Sequence, residues 1–377
     1  MKIAFLGCGY VANMYRLTLP LHPELDLVGV YDRERSRCEA FAALTGAQAY
    51  ASMEELLAGE AVLVLNLTNP RDHYETSRAL LEAGKHVYTE KPVAMELGHA
   101  VALRDLAAAG GLHLASAPCT LMSPAAQTLW RALEEGRAGR VRLAYAEMDD
   151  GPVPFAPTAK WINEAGTPWP TADEFETGCT IEHAGYVLSW LCAMWGPAES
   201  VTAFTANLVE DKMPGRYLSP ADDFSVACVT FAGGRVLRLT NGIYAEHDHR
   251  LRLFGDDGVL TVDDPRSDDS RVSIRSYKTL RRKRYLGRAA TVPPVASEGK
   301  VSTYRGSQTR DFCRVVADMA AAIEGGGSPY LKADFSVHIT EITLACQGLI
   351  GQDAPGGRYA PTTTFEPLKP LTSGATS

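Results

Sequence analysis

The opening of the chain restricts its fold more than any other feature. A short apolar run, Ile3–Leu6, passes directly into Gly7-Cys8-Gly9-Tyr10-Val11-Ala12 and then into a helical pattern near Val11–Leu19. A G-x-G-x-x-A fingerprint between a first strand and a first helix is a dinucleotide-binding turn: the first glycine permits the tight turn, the second lets the backbone approach a pyrophosphate, and the small Ala12 lets helix and strand pack closely. The helix N-terminus then faces the negative charge, with Tyr10 and Val11 opening it. At the end of the second apolar run stands Asp32, where a carboxylate accepts the ribose hydroxyls of an adenosine and favours NAD over NADP. The adjacent Arg33, with Arg35 and Arg37, is placed to stack on adenine or to meet a 2′-phosphate instead.

From Met1 to about Ala117 apolar runs alternate with helical patterns, as in βαβ units around a parallel sheet. Five strands are expected, Ile3–Leu6, Leu27–Tyr31, Val62–Leu67, His86–Tyr88 and His113–Ser116, with helices near Arg35–Leu44, Arg71–Ala83 and Leu97–Ala109 between the later ones. A helix over Ala125–Glu135 and a strand over Val141–Met148 lead to a Pro/Gly-rich stretch, Gly151 to Pro170, and a helix around Ile181–Met194. Alternating strands at short spacing follow, Val201–Ala206, Phe224–Phe231, Val236–Tyr244, Arg250–Gly255, Val259–Val262 and Val272–Tyr277, with Gly233-Gly234 and Asp257-Gly258 as turns. Helices over Gln308–Glu324 and Phe335–Gly348 close the pattern. The expected fold is α/β: a Rossmann domain over 1–120, an α+β domain over 121–355 with a large, mostly antiparallel, open-faced sheet, and a Thr/Pro-rich tail over 356–377. With 377 residues the chain exceeds the roughly 250–300 at which a single core stops growing, which agrees with two domains.

Composition narrows the partners. A content of 46% apolar and 22% charged residues, with no apolar run near the ~20 residues of a membrane span and no signal-peptide pattern at the start, predicts a soluble, cytoplasmic protein. The balance of 37 basic and 45 acidic residues leaves no footprint for nucleic acid, so a small molecule is the expected partner. Eight scattered cysteines without a C-x-x-C pair read as reduced and mostly buried.

The third strand ends in Asn66-Leu67-Thr68-Asn69-Pro70, followed by His73, and the next in Val87-Tyr88-Thr89-Glu90-Lys91-Pro92. These runs, with the fingerprint, resemble the Gfo/Idh/MocA family, relatives of glucose-fructose oxidoreductase and inositol dehydrogenase, over nearly the whole chain. The resemblance implies that Thr68, Asn69, His73, Glu90 and Pro92 belong to the cofactor site and that Lys91 points at nicotinamide and substrate hydroxyl. An ammonium there hydrogen-bonds the reacting oxygen and stabilises alkoxide character, and NAD⁺ nearby would lower its pKa. Relatives carry an Asp and a His on the first helix of the second domain. In Thr177-Gly178-Cys179-Thr180-Ile181-Glu182-His183-Ala184-Gly185-Tyr186, Glu182 takes the aspartate position and Tyr186 the histidine position, spaced i to i+4 on one helix face. Tyr186 is the expected acid/base, and His183, three residues before it, is the competing one. After the fifth strand, Ser116-Ala117-Pro118-Cys119-Thr120 replaces the Asn-Arg-Arg-like run of relatives, which marks a rebuilt substrate pocket. Trp161 matches an aromatic that relatives place near the cofactor.

Three functions follow from this reading. The first is an NAD-dependent oxidoreductase moving a hydride between a sugar or polyol secondary hydroxyl and the nicotinamide. The second is an NAD-dependent glycosidase working by transient C3 oxidation, elimination, water addition and re-reduction, with an acidic glycoside such as a sulfoquinovoside as a conceivable substrate given the basic run Arg281-Arg282-Lys283-Arg284. The third is a non-catalytic dinucleotide-binding regulator. That basic run, with Tyr277 and Tyr285 interleaved, reads first as a solvated loop, and next as a subunit contact or an anion site. His247-Asp248-His249 sends both histidines to one face of a strand and Asp248 to the other; lacking a third ligand, no metal is expected. An exposed apolar sheet face predicts a homodimer or homotetramer.

Overall fold

A computed structural model describes residues 1–216, 218–295 and 309–371. The N-terminal sheet is six-stranded and wholly parallel, in the order β3-β2-β1-β4-β5-β6. Its strands are β1 (Lys2–Leu6), β2 (Asp26–Tyr31), β3 (Gln48–Ala49), β4 (Leu63–Asn66), β5 (His86–Thr89) and β6 (Leu114–Ser116). Helices α1 (Tyr10–Thr18), α2 (Arg35–Thr45), α3 (Met53–Ala58), α4 (His73–Glu82) and α5 (Leu97–Ala109) connect them. Burial on both faces explains the near-continuous apolar strands: Ile3, Phe5, Val64, Leu65, Val87 and Tyr88 are fully enclosed. The short strand β3 and helix α3 are additions to the five-strand expectation. The order reverses between β1 and β4, which opens a crevice above the carboxyl ends of β1, β2, β4 and β5.

Helix α6 (Pro124–Glu134), capped by Ser123, leads into the second sheet. That sheet runs β14-β13-β12-β11-β7-β10-β9-β8, with β15 (Ala290–Thr291) paired to β13. Its strands are β7 (Val141–Asp149), β8 (Ala198–Ala206), β9 (Phe224–Phe231), β10 (Arg235–Gly242), β11 (Leu251–Gly255), β12 (Gly258–Val262), β13 (Val272–Leu280) and β14 (Lys283–Leu286). All pairs are antiparallel except β7 with β10. One face buries Ala144, Ala146, Ala227, Leu237, Leu239 and Leu253 beneath α8 (Cys179–Trp195), which α7 (Thr171–Thr177) precedes. The opposite face carries Tyr145, Glu147, Arg238, Arg252, Phe254 and Phe204.

The basic run is the tip of the β13–β14 hairpin and not a loose loop: Arg281 turns with φ 55° and Arg284 lies 4.3 Å from the Tyr277 ring centroid. Helix α9 (Arg314–Gly325) begins later than expected, and Gln308 lies outside the described residues. Helix α10 (Ala333–Cys346) packs against both α8 and α5, so the chain returns to the first sheet: Ser336 Oγ accepts from Ser116 N–H and Thr340 Oγ1 from Val93 N–H. The stretch read as a tail is packed as far as Leu371. Tyr359, Thr362 and Thr363 bind the Glu341 carboxylate, and Phe365 is buried in the core. Residues 372–377 lie outside the described part. Seven of the eight cysteines are buried, Cys228 is exposed, and all are free thiols.

Candidate active site

The crevice holds three connected cavities. Above the β2 end, a cavity of about 400 Å³ is lined by Gly7, Gly9, Tyr31, Asp32, Arg33 and Arg37. Next to it a cleft of about 640 Å³ runs past Gly9, Tyr10, Val11, Thr68, Asn69, His73, Glu90 and Lys91. Beneath the second domain an inner pocket of about 390 Å³ continues from it. Cleft and inner pocket share Lys91, Trp169, Glu174, Glu182, Tyr186 and Arg310.

The backbone fits a dinucleotide. Gly7 has φ +98°, and a Cβ there would stand 2.6 Å from the Leu67 carbonyl oxygen, so no side chain is tolerated at the turn. A Cβ on Gly9 would meet nothing within 4 Å, because that backbone faces the open cleft where a pyrophosphate approaches α1. Ala12 is fully buried beneath the turn and only packs. Asp32 is fixed by backbone donors, Cys8 N–H at 2.9 Å and Glu34 N–H at 2.8 Å, with Arg37 at 3.4 Å. Arg33, largely exposed, reaches Asp72 at 3.5 Å.

The loop bearing Lys91 is clamped from behind. His73 is buried between the Pro92 carbonyl at 2.7 Å and the Thr68 carbonyl at 3.0 Å, tying the two strand-end loops together; burial holds its imidazole below the ordinary range. Glu90 accepts from Tyr15 Oη at 2.6 Å and from Lys91 N–H at 3.2 Å. Pro92 is buried and acts through its carbonyl, lining none of the three cavities. Lys91 Nζ is ion-paired with the Glu182 carboxylate, which α8 brings across from the second domain. Burial alone would push this ammonium down, but Glu182, then Tyr186, Glu90 and Glu174, outweigh it and hold the pKa above its ordinary value. Lys91 is therefore a fixed cation in the free protein.

Lys91, Glu182 and Tyr186 meet at the boundary between cleft and inner pocket, as the i to i+4 spacing requires. Arg310 donates to Tyr186 Oη at 3.0 Å and lies over its ring, 5.0 Å from the centroid. His183 faces only the inner pocket, with Nε2 2.9 Å from Asp150 Oδ2. Burial would raise the Asp150 carboxyl, yet His183, His249 and Arg266 hold it well below the usual range. Asp150 is also the third group that the sequence failed to supply beside His247 and His249, whose rings sit 4.1 Å apart. The Arg266 guanidinium lies 2.9 Å from Asp150 Oδ1. Asp150 is thus paired with His183, His249 and Arg266.

Four residues of the site escaped the sequence reading. Trp169 lines both cleft and inner pocket, whereas Trp161 packs on it at 5.0 Å and lines the inner pocket alone, not the cofactor cleft. Glu174, on α7, is raised well above the usual carboxyl range by burial and by Glu182, with Lys91 opposing. Asp150 and Arg310 complete the set. No residue of Arg281–Arg284 lines either cavity, so the basic hairpin is no part of this site.

Comparison with known proteins matches residues 1–117 to the oxidoreductase family with an NAD-binding Rossmann fold, and residues 126–261 to the GFO/IDH/MocA C-terminal domain. An uncharacterised oxidoreductase of Synechocystis sp. is 24% identical over 271 residues, 70% of this chain and 71% of that protein. Trans-1,2-dihydrobenzene-1,2-diol dehydrogenase of Oryctolagus cuniculus is 30% identical over 266 residues, 69% of this chain and 74% of that protein. The crystal structure of the WlbA dehydrogenase from Bordetella pertussis with NADH and UDP-GlcNAcA superposes with a TM-score of 0.72 at 18% identity, covering 96% of this chain and 98% of that one. Among the described residues, no helix is long and apolar enough to cross a membrane.

Proposed function

Because this chain belongs to the Gfo/Idh/MocA family of NAD(P)-dependent oxidoreductases, we propose that it is an NAD-dependent dehydrogenase acting on a secondary hydroxyl of a sugar or polyol. The observation that carries the reading is the placement of Lys91, Glu182 and Tyr186 where the cofactor cleft opens into the inner pocket. Bound NAD supplies the hydride acceptor. The backbone of Gly7, Gly9 and Tyr10 would hold its pyrophosphate and Asp32 its adenosine ribose, with Lys91, Trp169 and Tyr186 at the nicotinamide end. Lys91, kept charged by Glu182, hydrogen-bonds the reacting oxygen and favours its alkoxide character without itself accepting a proton. Tyr186, in its phenolate form, takes the hydroxyl proton and becomes the phenol, its oxygen oriented by Arg310. Glu174, favoured in its protonated form, offers a neutral donor to a neighbouring hydroxyl. Relatives are consistent with this chemistry: one is a dehydrogenase of a cyclic diol, and a structural neighbour holds NADH with a sugar nucleotide.

A second reading draws on His183 and Asp150. A ketone formed in a sugar ring acidifies the adjacent C–H, and a second base held by a carboxylate in the same pocket is what elimination of an aglycone needs. NADH accumulation on a panel of sugars and polyols tests the choice. Stoichiometric NADH supports the dehydrogenase, aglycone release without NADH supports the glycosidase, and neither product supports a non-catalytic role. The exposed sheet face is the proposed surface of a homodimer or homotetramer.

A further inference from the structure

The inner pocket has apolar walls whose neighbours in the chain are exposed rings. Its apolar walls are Val153, Trp161, Trp169, Phe175 and Ile243. The segments bearing Val153 and Ile243 are joined, Val153 N–H donating to the Ile243 carbonyl at 3.0 Å. Just past these two residues Phe155 and Tyr244 meet edge to face, with centroids 6.2 Å apart. Both are more than half exposed, at 68% and 52%, and Trp161 and Ile162 add 36% and 57% on the same loop. A single large apolar side chain in solvent needs no explanation, but four on two bonded segments, with Trp161 lining the pocket and Phe155 and Tyr244 next in the chain to its walls, mark a binding surface.

Chemistry is segregated along this pocket. Lys91, Glu182, Tyr186 and Arg310, on the side shared with the cleft, suit hydroxyls, while Val153 and Ile243 lead in the chain to the exposed Phe155 and Tyr244, and Trp161 is itself partly exposed. We infer that this surface is a substrate subsite for an aromatic or flat apolar substituent on the hydroxylated ring, so that aryl or comparably apolar glycosides are preferred over free or methylated sugars. This rests on the reading that the hydroxyl reacts at the Lys91 end. The patch is ligand-sized: four side chains, against about 20–30 residues on each side of a stable protein interface.

The test uses the full chain with NAD⁺ and the phenyl and methyl glycosides of glucose, galactose and N-acetylglucosamine. Saturation-transfer NMR reads binding, NADH formation reads turnover, and the wild type is compared with Phe155→Ala/Tyr244→Ala. Two aromatic contacts predict a phenyl-over-methyl affinity ratio of roughly tenfold, falling to within about threefold of unity in the variant while methyl glycoside binding is unchanged. Absence of saturation at the phenyl protons of every probe overturns the subsite, as does an equal ratio in the wild type or an unaltered ratio in the variant. A variant that loses an oligomer by light scattering but keeps its ratio gives the surface to a second copy and also overturns it. Phenyl preference in binding without NADH from any probe upholds the subsite and counts against the dehydrogenase reading. NADH without phenyl preference does the reverse.

Discussion

Lys91 Nζ and the Glu182 carboxylate form an ion pair that bridges the end of β5 and the first turn of α8, and so joins the two domains where the cleft meets the inner pocket. Each partner is mostly buried, so either charge left there alone is costly. Lys91→Ala is expected to lower the hydride-transfer rate by roughly 10²–10⁴. The NAD dissociation constant should stay within about threefold, because Gly7, Gly9 and Asp32 are untouched. Single-turnover NADH formation and calorimetric titration of NAD measure the two quantities. A comparable loss in NAD affinity would make Lys91 a cofactor anchor instead.

Cofactor choice turns on Asp32. Its carboxylate is fixed by two backbone donors, so it cannot easily swing away from a 2′-phosphate, and Arg37 is the cation nearest to it. NAD⁺ is expected to bind at least about tenfold tighter than NADP⁺, a difference of roughly 1.4 kcal/mol. Asp32→Ser should narrow or reverse the ratio. Equal dissociation constants in the wild type would assign the decision to Arg33.

The residues legible in the sequence were those whose role is set by a few neighbours in the chain. Gly7 and Gly9 sit in a turn whose strand and helix flank it directly, Lys91 ends a strand, and Glu182 and Tyr186 share a helix face. Trp169, Asp150 and Arg310 come from non-periodic segments and Glu174 from the short helix α7, and only the packing of the second domain on the first brings them to Lys91. The same cause explains Trp161: two tryptophans share one Pro/Gly-rich loop, and nothing local says which lines the cleft. Helix α3 did carry a signal, since Ser52-Met53-Glu54-Glu55 is a capping pattern and Ser52 Oγ accepts from Glu55 N–H. The packed segment before Leu371 carried none, because its anchor, Glu341, lies on another element.

Stability should depend on Asp149. Burial, with Glu147 and Asp248 nearby, raises its carboxyl to about 6, and one of its oxygens is buried without a hydrogen-bond partner. A carboxyl raised on folding contributes fully below its unfolded pKa near 3.8 and loses that contribution as pH climbs through about 6. Asp149→Asn is therefore expected to raise Tm by a few degrees at pH 7.5 and to flatten the slope of stability between about pH 4 and 6. Urea titrations across that range measure it. A variant less stable than wild type at pH 7.5 would show that the ionised carboxylate has a partner.

The open face of the second sheet has the composition that subunit contacts favour. Arg238 lies 4.3 Å from the Tyr145 ring centroid, Tyr145 packs on Phe254 at 5.0 Å, and Phe204 stands 65% exposed. Light scattering at micromolar concentration should show a dimer or tetramer, and Tyr145→Glu/Phe204→Glu should yield the monomer. A wild-type monomer at that concentration would leave the face without this role.

The proton-transfer residue is decided between two neighbours on α8. Tyr186 lines both cavities and takes a hydrogen bond from Arg310, whereas His183 lines the inner pocket only and is held by Asp150. If Tyr186 takes the hydroxyl proton, Tyr186→Phe should lower the hydride-transfer rate by roughly 10²–10⁴. His183→Ala should then cost less than about tenfold, since it removes no group from the nicotinamide end. Stopped-flow NADH formation on an identified substrate ranks them, and the reverse ranking moves the role to His183. Should His183→Ala leave NADH formation intact but abolish aglycone release from a glycoside, Tyr186 serves the redox step and His183 the elimination. If Lys91→Ala, Tyr186→Phe and His183→Ala all turn over near the wild-type rate, the chemistry lies elsewhere in the cleft.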